Sequence, residues 1–159
     1  MKKPDPAQGL VVRYDYLWSD EAEKGRQEGS KERPCAIVVT TTGEGQDARV
    51  WLAPITHTQP TNPKAAIEIP QKVKRHLGLD DDRSWIVTSE LNGVAWGDPG
   101  IVPAKPGQQW EYGRLPNALW QPAVEKIKEM SKERRVKMVD RTRGFSGDKW
   151  RGRDDDRGR

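Results

Sequence analysis

Apolar positions in the first hundred residues fall in short runs rich in β-branched side chains: Leu10 to Tyr16, Ala36 to Thr42, Arg49 to Thr56, Ala66 to Ile69 and Trp85 to Leu91. Runs of this length bounded by turn formers predict strands, because branched side chains pack well on a pleated surface. Between the first two runs, Ser19 to Glu32 is charged and carries Gly25 and Gly29, which predicts a mobile loop. The string TGEGQD, Thr42 to Asp47, predicts a hairpin turn joining the second and third strands antiparallel. Helical spacing occurs twice. Pro70 followed by QKVKRHLGL sets Val73 and Leu77 four apart before Gly78, a short helix with a glycine stop. From Pro116 to Arg135, Leu119, Ala123, Ile127 and Met130 share one face, which predicts the one long helix, kinked or restarted at Pro122. Glycines and prolines multiply between Asn92 and Tyr112, so turns and short edge strands near Val94 and Ile101 are expected there.

Many short strands without βαβ alternation predict a mainly β fold, a small barrel with a short helix and a C-terminal helix. The length of 159 residues fits one domain. The hydrophobic fraction of 33% is low enough that part of the chain is expected to stay unpacked. That part is placed at the ends. Residues 1–8 are expected to be a flexible N-terminus, 9–131 the folded domain, and 132–159 a charged tail, largely disordered, since GFSGDKWRGRDDDRGR offers almost nothing to bury.

The net charge of +4 belongs to that tail. From Lys132 onward there are 11 basic and 6 acidic residues, leaving 17 basic and 18 acidic before it. The body is near neutral, so any basic binding surface on it must be local. Cys35 is the single cysteine and can form no internal disulfide, and the start MKKPDPAQGL lacks a signal-like apolar stretch, so a cytoplasmic location is expected. No apolar run approaches the length of a membrane span, and no membrane partner is expected.

Candidate chemistry narrows quickly. His57 and His76 are far apart, Cys35 is alone, and no CxxC or HExxH spacing occurs, so no metal and no cofactor are expected. The runs Asp80 to Asp82 and Asp154 to Asp156 read as solvated loop and tail rather than a cation site. There is no phosphate-binding glycine loop and no GxSxG. Of the seven tryptophans, Trp18, Trp51, Trp85, Trp96 and Trp110 lie in the expected barrel. Most should fill its core or a dimer face, with Trp18, at the edge of the loop, the one expected to stay available as an aromatic platform.

Five strings remain: Gly9-Leu-Val-Val-Arg-Tyr, Arg33-Pro-Cys-Ala-Ile-Val-Val, Pro54-Ile-Thr-His, Ile67-Glu-Ile-Pro and Ser84-Trp-Ile-Val followed by Glu90. In order and spacing they resemble the PemK/MazF family of toxins from toxin-antitoxin operons. The combination PITHT, EIP, LGLDxxRSWIV and YGxLP is similar to the growth-inhibitor branch of that family. The resemblance spans roughly Gly9 to Met130. It implies an SH3-like barrel, a homodimer, an antitoxin partner, and metal-independent cleavage of single-stranded RNA by attack of a ribose 2′-hydroxyl on the adjacent phosphate.

Carried over by position, the resemblance implies that Arg33 stabilises the phosphorane, with Thr56 donating to the same phosphate. Glu90 stands near an acidic position of the family and is the expected base if burial raises its pKa. Histidine is the residue type whose ordinary pKa lies nearest neutral, which makes His57 a further candidate acid or base, but it can share a pocket with Thr56 only if the strand has ended there, since neighbours on a strand face opposite ways. His76 is expected at the surface. Trp18, Arg13 and Lys31 form the expected RNA-binding set. Thr88 stands where well-described members carry an arginine. Two other readings are carried beside the nuclease: a non-catalytic barrel that binds a protein partner, as gyrase poisons of this fold do, and a decayed toxin that binds RNA without cutting.

Overall fold

The computed structural model describes residues 2–29, 31–40 and 45–141. Among these, nine strands form one mostly antiparallel sheet accompanied by three helices. The strands are β1 (Leu10–Tyr14), β2 (Arg33–Thr40), β3 (Arg49–Thr56), β4 (Ala66–Glu68), β5 (Trp85–Val87), β6 (Glu90–Ala95), β7 (Ile101–Val102), β8 (Gly113–Arg114) and β9 (Lys137–Asp140). The helices are α1 (Ser19–Glu23), α2 (Gln71–Leu77) and α3 (Asn117–Lys132). The main path of pairing runs β4-β5-β3-β2-β1-β7 and stays open among the described residues.

Alternation along each strand supplies two apolar faces. Val11, Ala36, Val38, Ala53, Ile55 and Ile86 face one side, where Leu77 of α2 and Leu119, Val124 and Ile127 of α3 cover them. Val12, Tyr14, Cys35, Ile37, Val50 and Leu52 face the other, packed with Tyr16, Val94 and Trp96. Both sides of β1, β2 and β3 are therefore core, which is why these runs are almost continuously apolar. α2 ends at Gly78, whose left-handed φ of 69° lets its N–H reach the Arg75 carbonyl and the Leu79 N–H reach that of Lys74.

Four expectations are corrected. Residues 1–8 are not a free end over the described part: Trp96 Nε1 donates to the Pro4 carbonyl at 3.1 Å, Lys3 sits over the Trp96 and Trp110 rings, and Gln8 Nε2 donates to the Val38 carbonyl at 2.9 Å. The loop expected at Ser19 to Glu32 opens with α1, where the Glu21 carboxylate accepts from Trp18 N at 3.1 Å and satisfies an end group of the helix. The run from Trp85 to Leu91 is not one strand. β5 pairs with Ile55 and Thr56 of β3, β6 pairs with Arg49 to Leu52 of the same edge, and residues between them break away, Thr88 N donating to the Ala65 carbonyl at 2.7 Å. The fold also continues past residue 131: β9 pairs parallel with β6, and Arg141 beyond it is buried.

α3 passes through Pro122, whose missing N–H costs one helical hydrogen bond, because Leu119, Ala123, Val124, Ile127 and Met130 are all buried along its inner face. β2 and β3 are antiparallel, as expected of a hairpin. The turn predicted at Thr42 to Asp47 lies partly, and the tail from residue 142 wholly, outside the described residues.

Candidate functional site

The register that sets Cys35 opposite Pro54 brings Arg33 and Thr56, each two residues further along, to the same end and side of the β2–β3 ladder. A groove of about 750 Å³ opens there. Thr56 is the last residue of β3, so the chain leaves the strand before His57, and both residues line the groove. Thr56 Oγ1 accepts from the Thr58 N–H at 3.1 Å, closing a small turn and leaving the hydroxyl proton to donate elsewhere. Glu90 enters from the start of β6, and Trp18 and Lys31 from the two ends of the segment that carries α1. Met130 and Arg135 also line it.

The Arg33 guanidinium lies 5.0 Å from the centroid of the Trp18 ring. Its Nε is buried without a hydrogen-bond partner, and no carboxylate pairs with it among the described residues. A guanidinium held against an aromatic face with unused donors and no counter-ion is arranged to receive an anion. Arg13 is elsewhere. It pairs with Glu32 at 3.1 Å and does not line the groove, whereas Trp18, Lys31, Arg33, Thr56, His57 and Glu90 all do.

Glu90 is built into the wall of the groove. Its Oε1 accepts from Tyr16 Oη at 3.0 Å and from Ser19 N at 2.9 Å, and its Oε2 accepts from Ser19 Oγ at 3.1 Å. Burial raises its carboxyl above the ordinary carboxylate range, and these hydrogen bonds from Ser19 and Tyr16 pull partly the other way. The Tyr16 hydroxyl, buried beside that carboxylate, is raised well above the usual phenol value, chiefly by burial, so it stays a donor.

The segment that carries Trp18 and Ser19 is itself fixed by polar groups in the core. Asn92 is fully buried and pairs with the Leu17 main chain, and Arg141 donates to the Asp15 carbonyl at 2.6 Å, to the Gln27 carbonyl at 3.0 Å and to Asn92 Oδ1 at 3.2 Å. Sequence reasoning missed Tyr16, Ser19, Asn92 and Arg141. The first two carried only a strand or loop pattern, and Arg141 lay in a stretch read as tail.

On the outer side of the groove, His57 Nε2 is 2.8 Å from Asp80 Oδ2. Asp80 also accepts from Lys74 Nζ at 2.7 Å, and that hydrogen bond, first among the causes, holds its carboxyl below the usual range. His57, Asp80 and Asp82 bring three possible ligand atoms within 4.8 Å of one another. A positive charge is already present: the buried Lys74 ammonium donates to both Asp80 and the Asp82 carbonyl. Asp80 is the counter-charge of this buried ammonium, and Asp82 adds its main-chain carbonyl. His76 lies exposed on α2, away from the groove, as expected. Cys35 is fully buried, and burial raises its thiol, so it is an inert core residue. Among the described residues no helix is long and apolar enough to cross a membrane. No protein-family model and no curated protein matches the chain.

Proposed function

We propose that the chain is an endoribonuclease of the PemK/MazF toxin type, built on an SH3-like barrel, that cuts single-stranded RNA by 2′-hydroxyl attack without a metal. The observation that carries this reading is the meeting of Arg33, Thr56, Glu90 and Trp18 in one groove. RNA transesterification forms a bond between the 2′-oxygen and phosphorus and breaks the bond from phosphorus to the 5′-oxygen. The 2′-hydroxyl proton passes to Glu90, which burial makes a stronger base than an ordinary carboxylate. Charge on the phosphorane oxygens is met by the Arg33 fork and the Thr56 hydroxyl. Trp18, its ring already against Arg33, offers a face for an unstacked base, and Lys31 adds charge for the backbone. A second copy of the chain and an antitoxin laid across the groove belong to the same reading.

One observation favours a non-cutting groove instead: both Glu90 oxygens already hold protein donors. In that reading Glu90 is a structural acceptor, and the groove binds RNA or a protein segment through Arg33 and Trp18. Comparing Arg33→Ala with Glu90→Gln separates the two. A nuclease loses cutting by about 100-fold or more in either variant. A binder loses affinity in Arg33→Ala alone and shows no cutting in any form.

A further inference from the structure

The proposed cleavage leaves the proton for the departing 5′-oxygen without a donor, and the outer edge of the groove holds one. His57 lines the groove and is itself exposed, while its Nε2 is 2.8 Å from Asp80 Oδ2. Asp80 is in turn gripped by Lys74, whose side chain is only 1% exposed and whose ammonium also donates to the Asp82 carbonyl. The chain Lys74, Asp80, His57 thus runs from the core, through the loop after α2, to the groove. Its inner end is fixed, since a buried ammonium cannot leave its acceptors without a large desolvation cost.

We propose that His57 is the general acid of the groove, and that Asp80, anchored by Lys74, is the positioning residue that keeps one imidazole proton on Nε2 so that Nδ1 carries the proton that is given up. This rests on the cleavage proposed above. In the protonated imidazole both nitrogens bear hydrogen, and Nε2–H donates to Asp80. As the bond from phosphorus to the 5′-oxygen breaks, Nδ1–H passes to that oxygen. A neutral imidazole remains in the Nε2–H form, with the 2′-proton on Glu90. At metal-bound imidazoles, loss of an orienting carboxylate typically changes activity by about 10- to 100-fold, and loss of a general acid costs about 100-fold or more. The lowered pKa of Asp80 agrees with a carboxylate that stays ionised while His57 cycles.

The test compares wild type, His57→Gln, Asp80→Asn and the double variant on an RNA with one scissile linkage, and on the same RNA with sulfur in place of the 5′-oxygen there. A thiolate leaves without a proton. On the oxygen ester, His57→Gln is expected to lower kcat by about 100-fold and Asp80→Asn by about 10-fold, with little change in KM. Adding Asp80→Asn to His57→Gln is expected to cost nothing more, and both single variants should cut the sulfur linkage at the wild-type rate. Should Asp80→Asn release Lys74 and fail to fold, His57→Gln, which leaves that pair intact, still carries the sulfur test. If both linkages slow equally in His57→Gln, or if Asp80→Asn costs as much in the double variant as alone, this inference is wrong while the nuclease stands. A wild-type protein that cuts neither RNA overturns both.

Discussion

Asn92 pairs with Leu17 as one strand pairs with another. Its Oδ1 accepts from the Leu17 N–H at 2.9 Å, and its Nδ2 donates to the Leu17 carbonyl at 2.8 Å. Leu17 lies just before the segment that presents Trp18 and Ser19 to the groove, so one buried amide side chain in β6 sets the position of the wall that Glu90 binds. Replacing Asn92 by Leu would leave a buried main-chain donor and acceptor without partners. The predicted cost is about 2–4 kcal/mol in urea unfolding at neutral pH. An unchanged midpoint would mean that water reaches Leu17.

Arg141, just after β9, secures the same segment through Asp15, Gln27 and Asn92. Arg141→Met is predicted to speed amide hydrogen exchange over residues 15–29 while the central strands β2 and β3 keep their protection. Uniform acceleration over the whole sheet would show that Arg141 supports global stability rather than this segment.

Gly29 lies where a side chain has no room: a Cβ there would meet the Tyr16 carbonyl oxygen at 2.2 Å and Asp15 Oδ1 at 2.6 Å. The nearest obstacle is main chain and cannot swing aside. Gly29→Ala is predicted to destabilise the protein by about 1–3 kcal/mol and to lower cleavage by moving Tyr16 and Ser19 off Glu90. Gly25→Ala, with a φ of 90° but nothing within 4 Å of an added Cβ, serves as the control: strained, but without that clash.

Glu90→Gln separates fold from chemistry. Burial raises the Glu90 carboxyl in the folded chain, so the folded state keeps this proton to higher pH than the unfolded state does. Ionisation on raising pH through that window weakens the fold, and the stability returns as pH falls through it. Glutamine removes the titration. Its oxygen can still accept from Tyr16 and Ser19 N, and its amide can donate to Ser19 Oγ. The variant is predicted to be at least as stable as wild type near pH 7, to lose its relative advantage as pH falls below the folded value, and to cut RNA about 100-fold more slowly or worse. Wild-type cleavage should rise with pH through a midpoint above the ordinary glutamate value of about 4.3. A variant clearly less stable than wild type at pH 7 would contradict the burial argument.

The sheet could be read from the sequence because β-branched runs and their turn residues are local signals. Leu10 to Tyr16 and Arg49 to Thr56 contain β1 and β3 almost residue for residue. The long helix was equally plain in the spacing of Leu119, Ala123, Ile127 and Met130. What escaped depends on contacts between distant residues. Nothing near Arg141 in a charged stretch shows that Asp15 and Gln27 wait for it, and nothing near Lys3 shows Trp96. The bend between β5 and β6 comes from Thr88 turning to the Ala65 carbonyl, a choice of partner that no local pattern encodes. Six of the seven expected site residues nevertheless meet, because Arg33, Thr56 and Glu90 sit at strand ends, with His57 directly after one of them, and the topology gathers these ends together. Arg13 does not join them: it sits within β1 and pairs with Glu32.

The central question for this protein is whether its groove cuts RNA through its own side chains. The most direct measurement is to incubate purified protein with a long defined RNA in excess EDTA, beside Arg33→Ala, and to identify the new ends. Discrete cuts by wild type that leave a 2′,3′-cyclic phosphate and a 5′-hydroxyl, reduced about 100-fold or more in the variant, are the predicted result. Intact RNA after exposure to folded wild-type protein across diverse sequences, or cuts undiminished by loss of Arg33, would contradict it.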